Sequence, residues 1–136
     1  MPIEAVVADA NVLLSAIIGR AALRVFTEFE VQVHVTEFNA REVREYLPRL
    51  AAKFGLPAEL LEIEWKILSI RIHPQEDYNQ QYPAAMQYLA ERDPEDAHAL
   101  ALARSLGIPL WSNDKDLADC GIECYSTARL LTILEQ

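Results

Sequence analysis

The stretch from Arg92 to Leu117, RDPEDAHALALARSLGIPLWSNDKDL, carries five acids in two groups, at the ends of an apolar, alanine-rich segment. The acids are Asp93, Glu95, Asp96, Asp114 and Asp116. Carboxylates about 4 Å apart repel by roughly 4 kcal/mol at an effective dielectric of about 20. Acids that the fold brings together must therefore protonate, spread apart or bind a cation. Oxygen ligands favour Mg²⁺ or Mn²⁺ over Zn²⁺, and such sites suit phosphoryl chemistry.

Alternating strand and helix patterns predict the frame that would position these acids. The first strand, IEAVVA, is apolar on both faces, as in a buried parallel strand. Further strands are predicted at VQVHV, SIRIH, IPLWS and IECY, with helical patterns between them. This alternation predicts a three-layer α/β/α sandwich with a central parallel sheet of about five strands. The length of 136 residues suggests a single domain over residues 1–136.

Punctuating residues predict where the helices begin and end. Thr36 should open a charged helix that runs through EFNAREVREYLPRLAAKF and ends or kinks near Pro48. The polar, proline-bounded segment from 73 to 83 is predicted as a loop. Asp93 should cap a helix over PEDAHALALARSL, with Pro94 at its first position, and Gly107 should end it.

The predicted topology brings the scattered acids to one edge of the sheet. Ligands bind in open parallel sheets outside the carboxyl ends of the strands. Asp9 follows the first strand, and Asp114 and Asp116 follow the fourth. Glu42 lies early in the helix after the second strand, and Asp96 in the first turn of the helix before the fourth. These acids should share one crevice, although Glu37 and Glu45 compete with Glu42 for its position.

Composition limits the classes of protein to which this chain can belong. The formal net charge of −9 argues against binding nucleic acid through a basic face, unless divalent metals supply positive charge at the phosphate. No apolar run reaches the roughly 20 residues that span a bilayer, and the N-terminal segment lacks a basic region typical of a secretory signal. We therefore expect a cytoplasmic protein without membrane association. Its three histidines, His34, His73 and His98, are isolated in the sequence and are expected to be structural.

Three stretches together resemble a PIN-domain nuclease: VVADANVLLSAI, VTEFNAREVREYL and RDPEDAHALALARSLGIPLWSNDKDL. With the α/β alternation, the resemblance covers nearly the whole chain. It is strongest to small stand-alone bacterial and archaeal members, many of which are VapC-like toxins of toxin–antitoxin pairs.

The resemblance implies a role for several residues. Asp9 matches the first family acid, Glu42 the second, Asp96 the third and Asp114 the fourth. Asp93 and Asp116 stand where further acids are frequent, and Asn11 and Ser112 where polar residues orient the carboxylates. These eight residues are the predicted site: Asp9, Glu42, Asp96 and Asp114 as catalytic metal ligands, Asp116 as a further ligand, and Asn11, Asp93 and Ser112 in support.

The family resemblance further implies an Mg²⁺- or Mn²⁺-dependent endoribonuclease that hydrolyses RNA, with a small antitoxin protein as partner and a homodimeric assembly. The chain departs from the family pattern at Ala10, where a hydroxyl residue is usual. Basic residues near the predicted crevice are few: Arg20, Arg24, Arg41 and Lys115 are the nearest in sequence.

Simpler roles exist for each acid taken alone. Asp9 and Asp93 are good helix caps, Asp96 would complement a helix dipole, and Asp114 suits a turn. Two other functions also stay open. One is a non-catalytic PIN-like binding or regulatory subunit. The other is a metal-dependent phosphatase of the haloacid-dehalogenase type, against which Asn11 counts, because that class needs an acid two residues after its nucleophile.

Overall fold

The computed structural model describes residues 3–90, 93–117 and 120–136. Within these residues, five parallel strands form one sheet in the order β3-β2-β1-β4-β5. The strands are β1 (Ala5–Ala8), β2 (Gln32–Thr36), β3 (Ile70–His73), β4 (Leu110–Trp111) and β5 (Cys124–Tyr125). β1 lies at the centre, and strand order reverses on either side of it. The predicted parallel five-stranded sheet is confirmed.

Helices cover both faces of the sheet. They are α1 (Ala10–Ile18), α2 (Ala21–Thr27), α3 (Glu37–Phe54), α4 (Ala58–Ile67), α5 (Tyr82–Leu89), α6 (Ala97–Leu106) and α7 (Thr127–Leu134). Val6 and Ala8 of β1 pack in one core with α1 to α4 and α7, whereas Val7 packs in the other with α5 and α6. Successive strand residues point to opposite faces, so the central strand contributes to both cores. The architecture is the predicted three-layer α/β/α sandwich.

α3 carries the predicted second acid on a long, uninterrupted helix. Thr36 caps it by accepting a hydrogen bond from the Asn39 backbone N–H at 2.9 Å. The predicted end or kink near Pro48 is wrong as an end: the helix continues to Phe54 and stops at Gly55, whose φ of 64° is left-handed. Pro48 lies on the exposed side, while Leu47 and Leu50 beside it are buried and keep the helix packed.

Two predicted segments differ in detail from the structure. The loop predicted for 73–83 contains a 3₁₀ turn, Gln75–Asp77, and α5 already begins at Tyr82. The single helix predicted from Pro94 is instead a 3₁₀ turn, Pro94–Asp96, followed by α6. Hydrogen bonds of the 3₁₀ type tighten the first turn of a helix and rotate its side chains. This matters for the acids, because both Glu95 and Asp96 lie in that turn.

α1 and α2 are consecutive apolar helices packed into the core. Val12, Leu13 and Val25 are fully buried. No single helix in the described part of the chain is long and apolar enough to cross a membrane. α1 and α2 meet that criterion of length and composition only as a pair, and they bend by 90° at their junction.

Candidate metal centre

Asp9 lies at the carboxyl end of the central strand and is almost fully buried. It caps α1, accepting a hydrogen bond at Oδ1 from the Val12 backbone N–H at 3.0 Å. Its Oδ2 accepts from the hydroxyl of Ser112, which follows β4. Burial raises the pKa of Asp9, while the bonds from Ser112 and Val12 act in the opposite direction. Asp9 is therefore both the helix cap considered above and part of a buried acidic site.

Ser112 joins the ends of β1 and β4. Its hydroxyl donates to Asp9 and accepts from the Asp114 backbone N–H at 3.0 Å. The backbone N–H of Asp9 donates to the carbonyl of Trp111 at 3.3 Å. One serine thus links two acids that are far apart in the sequence.

Asp93, Asp96 and Asp114 form a compact carboxylate cluster. Each offers one oxygen, and the three oxygens lie within 4.8 Å of one another. Asp93 also accepts from the Glu95 backbone N–H at 3.1 Å, so it caps the 3₁₀ turn as well. Burial, followed by the interactions with Asp114 and Asp93, raises the pKa of Asp96 to about 8. Such proximity of three acids is unfavourable unless a proton or a cation offsets it.

Asp96 has an unusual environment within this cluster. Its Oδ2 is buried and has no hydrogen-bond partner among the described residues. A buried polar atom without a partner costs about 1–3 kcal/mol, so such atoms are rare in folded proteins. A cation at the cluster would supply the missing partner, and the donor set of carboxylate oxygens fits a hard divalent ion.

Glu42 faces the same crevice from the second turn of α3. The side-chain amide of Asn39, one turn earlier, donates to Glu42 Oε1 at 2.7 Å. Asn39 is itself held, because its Oδ1 accepts from the Thr36 hydroxyl at 3.0 Å. Burial raises the pKa of Glu42 most, and Glu95 and Asp93 add to the rise, whereas the Asn39 bond lowers it. The two competing acids lie outside the crevice: Glu37 pairs with Arg41, and Glu45 lines a neighbouring groove to which Glu42 also contributes.

These groups line one cavity of about 250 Å³ at the carboxyl edge of the sheet. Its lining consists of Asp9, Ala10, Asn11, Asn39, Glu42, Asp93, Glu95 and Asp96. Six of the eight predicted site residues line it or belong to the carboxylate cluster: Asp9, Asn11, Glu42, Asp93, Asp96 and Asp114. Ser112 contacts two of them, and the side chain of Asp116 lies outside the described residues.

Two residues of the site were missed by the sequence analysis. Glu95 lines the cavity and interacts with Glu42. Glu95 was counted among the acids of this segment but was given no role, because the family resemblance marks Asp93 and Asp96 there. Asn39 orients Glu42, and its spacing of three residues on a predicted helix was an available signal.

Basic side chains near this region are largely engaged with acids outside it. Arg24 contacts Glu28 at 2.9 Å and Glu135 at 2.6 Å. Arg41 lies 3.6 Å from Glu37. These contacts direct neither arginine at the crevice.

The protein is thus a parallel α/β/α sandwich with a crevice of carboxylates at the carboxyl ends of its strands. A family model described as PIN domain matches residues 7–135. The chain therefore belongs to the PIN-domain family, as its motifs predicted.

Solved structures share this fold at low sequence identity. VapBC2 from Rickettsia felis, bound to a promoter DNA fragment, superposes with a TM-score of 0.71 at 10% identity, covering 90% of this chain and 98% of that one. A toxin–antitoxin complex from Klebsiella pneumoniae gives 0.67 at 19%, covering 90% and 97%. VapC20 from Mycobacterium tuberculosis, a sarcin–ricin loop cleaving toxin, gives 0.60 at 18%, covering 86% and 95%. No curated protein matches the chain.

Proposed function

We propose that this protein is a ribonuclease that uses Mg²⁺ or Mn²⁺ to hydrolyse phosphodiester bonds of RNA. The observation that carries the proposal is the cluster of Asp93, Asp96 and Asp114, whose oxygens lie within 4.8 Å of one another beside Asp9 and Glu42. Membership of the PIN-domain family supports the same conclusion.

All the proposed metal ligands are carboxylates, of which some would bind the ion directly and others would line the crevice around it. Asp96 and Asp114 would hold the ion directly, with Asp9 behind them and Glu42 completing the crevice from α3; Asp116 is proposed as a further ligand from its sequence position. When bound, such an ion lowers the pKa of water and offsets the charge that develops on the phosphate. Ser112 orients Asp9, and Asn39 orients Glu42. Carboxylates fixed in this way lose little freedom on binding an ion, which favours its affinity.

The acidic character of the crevice also indicates how RNA would bind. With a net charge of −9, the protein repels a polyanion in the absence of a divalent ion. RNA association should therefore depend on the metal as much as cleavage does. VapC20, which shares the fold, is described as cleaving the sarcin–ricin loop, and this supports structured RNA as the substrate class.

We further propose a cytoplasmic toxin that is held by a small antitoxin and assembles as a homodimer. Two of the solved structures that share the fold are complexes of a toxin-antitoxin system, VapBC2 and the Klebsiella pneumoniae complex. Co-purification of a small protein encoded beside the gene would test this partner. Recovery of the chain alone from its native host would contradict the antitoxin proposal without affecting the nuclease proposal.

Cleavage by matched variants tests the nuclease proposal directly. The Asp96→Asn and Glu42→Gln variants should each lose cleavage of a structured RNA panel in Mn²⁺. The loss should exceed the roughly 10–100-fold that follows removal of an outer partner of a metal ligand. Glu45→Gln is the control, since Glu45 is an exposed acid on the same helix but outside the cavity.

The readout is the rate of product formation on a gel, with circular dichroism to verify that each variant is folded. Retained cleavage in Asp96→Asn would contradict the assignment. Absence of cleavage in the wild type across the panel, with the metal bound, would favour the non-catalytic PIN-like subunit.

A further inference from the structure

A second group of ligating side chains lies at the sheet edge, outside the acidic crevice. His34 Nδ1 lies 2.8 Å from His73 Nε2, and the rings have centroids 5.0 Å apart with planes inclined by 36°. On the far side of the second ring, His73 Nδ1 lies 2.8 Å from Asp77 Oδ2. His34 and His73, which are isolated in the sequence, are therefore neighbours in the fold.

The three residues of this group lie on three neighbouring segments of the chain, namely β2, β3 and the 3₁₀ turn Gln75–Asp77. His34 lies in β2, and His73 ends the neighbouring edge strand β3, in register with Thr36. Asp77 follows four residues later in the 3₁₀ turn. Both rings are partly buried, whereas Asp77 is exposed. The sequence alone does not reveal the pair, because two residues 39 positions apart can be placed together only once the order and register of their strands are known.

Hydrogen bonding orients one ring. The Asp77 carboxylate can only accept, so Nδ1 of His73 carries a proton, and in the neutral ring the lone pair of Nε2 is directed at His34. A carboxylate behind a histidine in this way is the usual outer partner of a metal-binding imidazole, where it orients the ring and raises its basicity.

We propose that His34 and His73 form a binding site for a borderline transition-metal ion such as Zn²⁺, with Asp77 orienting His73. In the metal-free protein, the Nδ1–H group of His34 donates a hydrogen bond to Nε2 of His73. On metal binding that proton is carried by His34 Nε2 instead, so that both facing nitrogens present lone pairs to the ion. Water completes the coordination.

Metal binding requires both rings to move. Zinc–nitrogen bonds of about 2.0–2.1 Å at a tetrahedral centre place two nitrogens about 3.3 Å apart. The observed separation of 2.8 Å must therefore open by about half an ångström, and each ring must turn so that its lone pair points at the ion instead of at the other ring. Burial, with contributions from His73 and Arg71, lowers the pKa of His34 and favours the neutral ring that a metal needs.

Ligand chemistry separates this site from the crevice. Imidazole nitrogens select Zn²⁺, Ni²⁺ or Cu²⁺, whereas the carboxylates of the crevice suit Mg²⁺ or Mn²⁺. Because the two sites share no residue, the histidine site does not depend on the proposed nuclease function. Each can be removed by substitution without altering the ligands of the other.

Calorimetric titration of Zn²⁺ in excess Mg²⁺ tests the proposal. The wild type and Asp96→Asn should each bind one equivalent with the same affinity at the histidine pair. His73→Gln and His34→Gln should bind at least 10-fold more weakly, and Asp77→Asn about 10–100-fold more weakly. Equal binding in wild type and His73→Gln, or loss of binding in Asp96→Asn alone, would overturn the site.

Histidine side-chain NMR of the wild type provides a test that needs no variant to fold. Zn²⁺ should shift the ring-nitrogen signals of His34 and His73, while those of His98 stay in place. His98 is a suitable internal reference, since its Nδ1 is buried 2.7 Å from the Tyr78 hydroxyl and its ring stacks on Phe38. Unchanged signals for all three histidines at saturating Zn²⁺ would overturn the proposal.

Discussion

Asp96 shows at the scale of a single residue what a bound cation would offset. The residue ends the tight turn Pro94–Asp96, and this places its carboxyl against those of Asp93 and Asp114. The result is a buried oxygen without a partner in the described part of the chain and a pKa raised to about 8. Asp9, by contrast, has two donors for its carboxyl. Asp96 is thus the acid whose environment we expect a bound ion to change most.

The raised pKa of Asp96 predicts a pH dependence of stability in the metal-free protein. The folded state keeps the Asp96 proton up to about pH 8, whereas the unfolded chain releases it near the ordinary value of 3.8. Over that window the folded state binds more protons, so the unfolding free energy falls as pH rises. Asp9 and Glu42, whose pKa values are also raised, act in the same direction.

Urea unfolding with a chelator present measures this dependence between about pH 6 and about pH 8. The wild type should lose stability across the interval, and Asp96→Asn should show a clearly shallower slope because its amide does not titrate. A slope in Asp96→Asn equal to that of the wild type would exclude Asp96 as its source.

At the scale of elements, the sequence predicts the site best where strands end. Asp9 and Asp114 could be placed because parallel strands bring their carboxyl ends to one edge. Glu95 could not be placed, because its direction depends on the 3₁₀ turn rather than on helical spacing. The contact of His34 with His73 depends on strand register, which the alternation of strands and helices leaves undetermined. Pro48 misled the prediction of the end of α3, since its effect depends on which side of the helix faces solvent.

The link between β1 and β4 predicts a stability effect for Ser112. Ser112→Ala removes the donor to the buried Asp9 carboxyl and the acceptor for the Asp114 N–H. The unfolding free energy of the metal-free protein should fall by about 1–3 kcal/mol, the cost of leaving buried polar groups unpaired. Ser105→Ala, at an exposed position of α6, should change it by no more than about 0.5 kcal/mol. Denaturant unfolding gives both values, and equal effects would show that the link contributes nothing.

At the scale of the whole molecule, the fold gathers acids from four separate segments into one crevice on a protein of net charge −9. The α/β alternation made the sandwich predictable, because parallel strands need helical crossovers that cover both faces of the sheet. That residues 1–136 form one domain stays a prediction from chain length. The unfavourable charge of the crevice makes a divalent cation the central requirement of the proposed function.

The most direct test is the melting temperature of the purified wild type and of Asp96→Asn as Mn²⁺ is added. Binding to the folded state alone stabilises it by about 2.7 kcal/mol at 100 times the dissociation constant. The wild type should therefore melt at a higher temperature as Mn²⁺ increases, and Asp96→Asn should not respond. Absence of stabilisation in the wild type, or an equal rise in Asp96→Asn, would contradict a metal centre built on these acids.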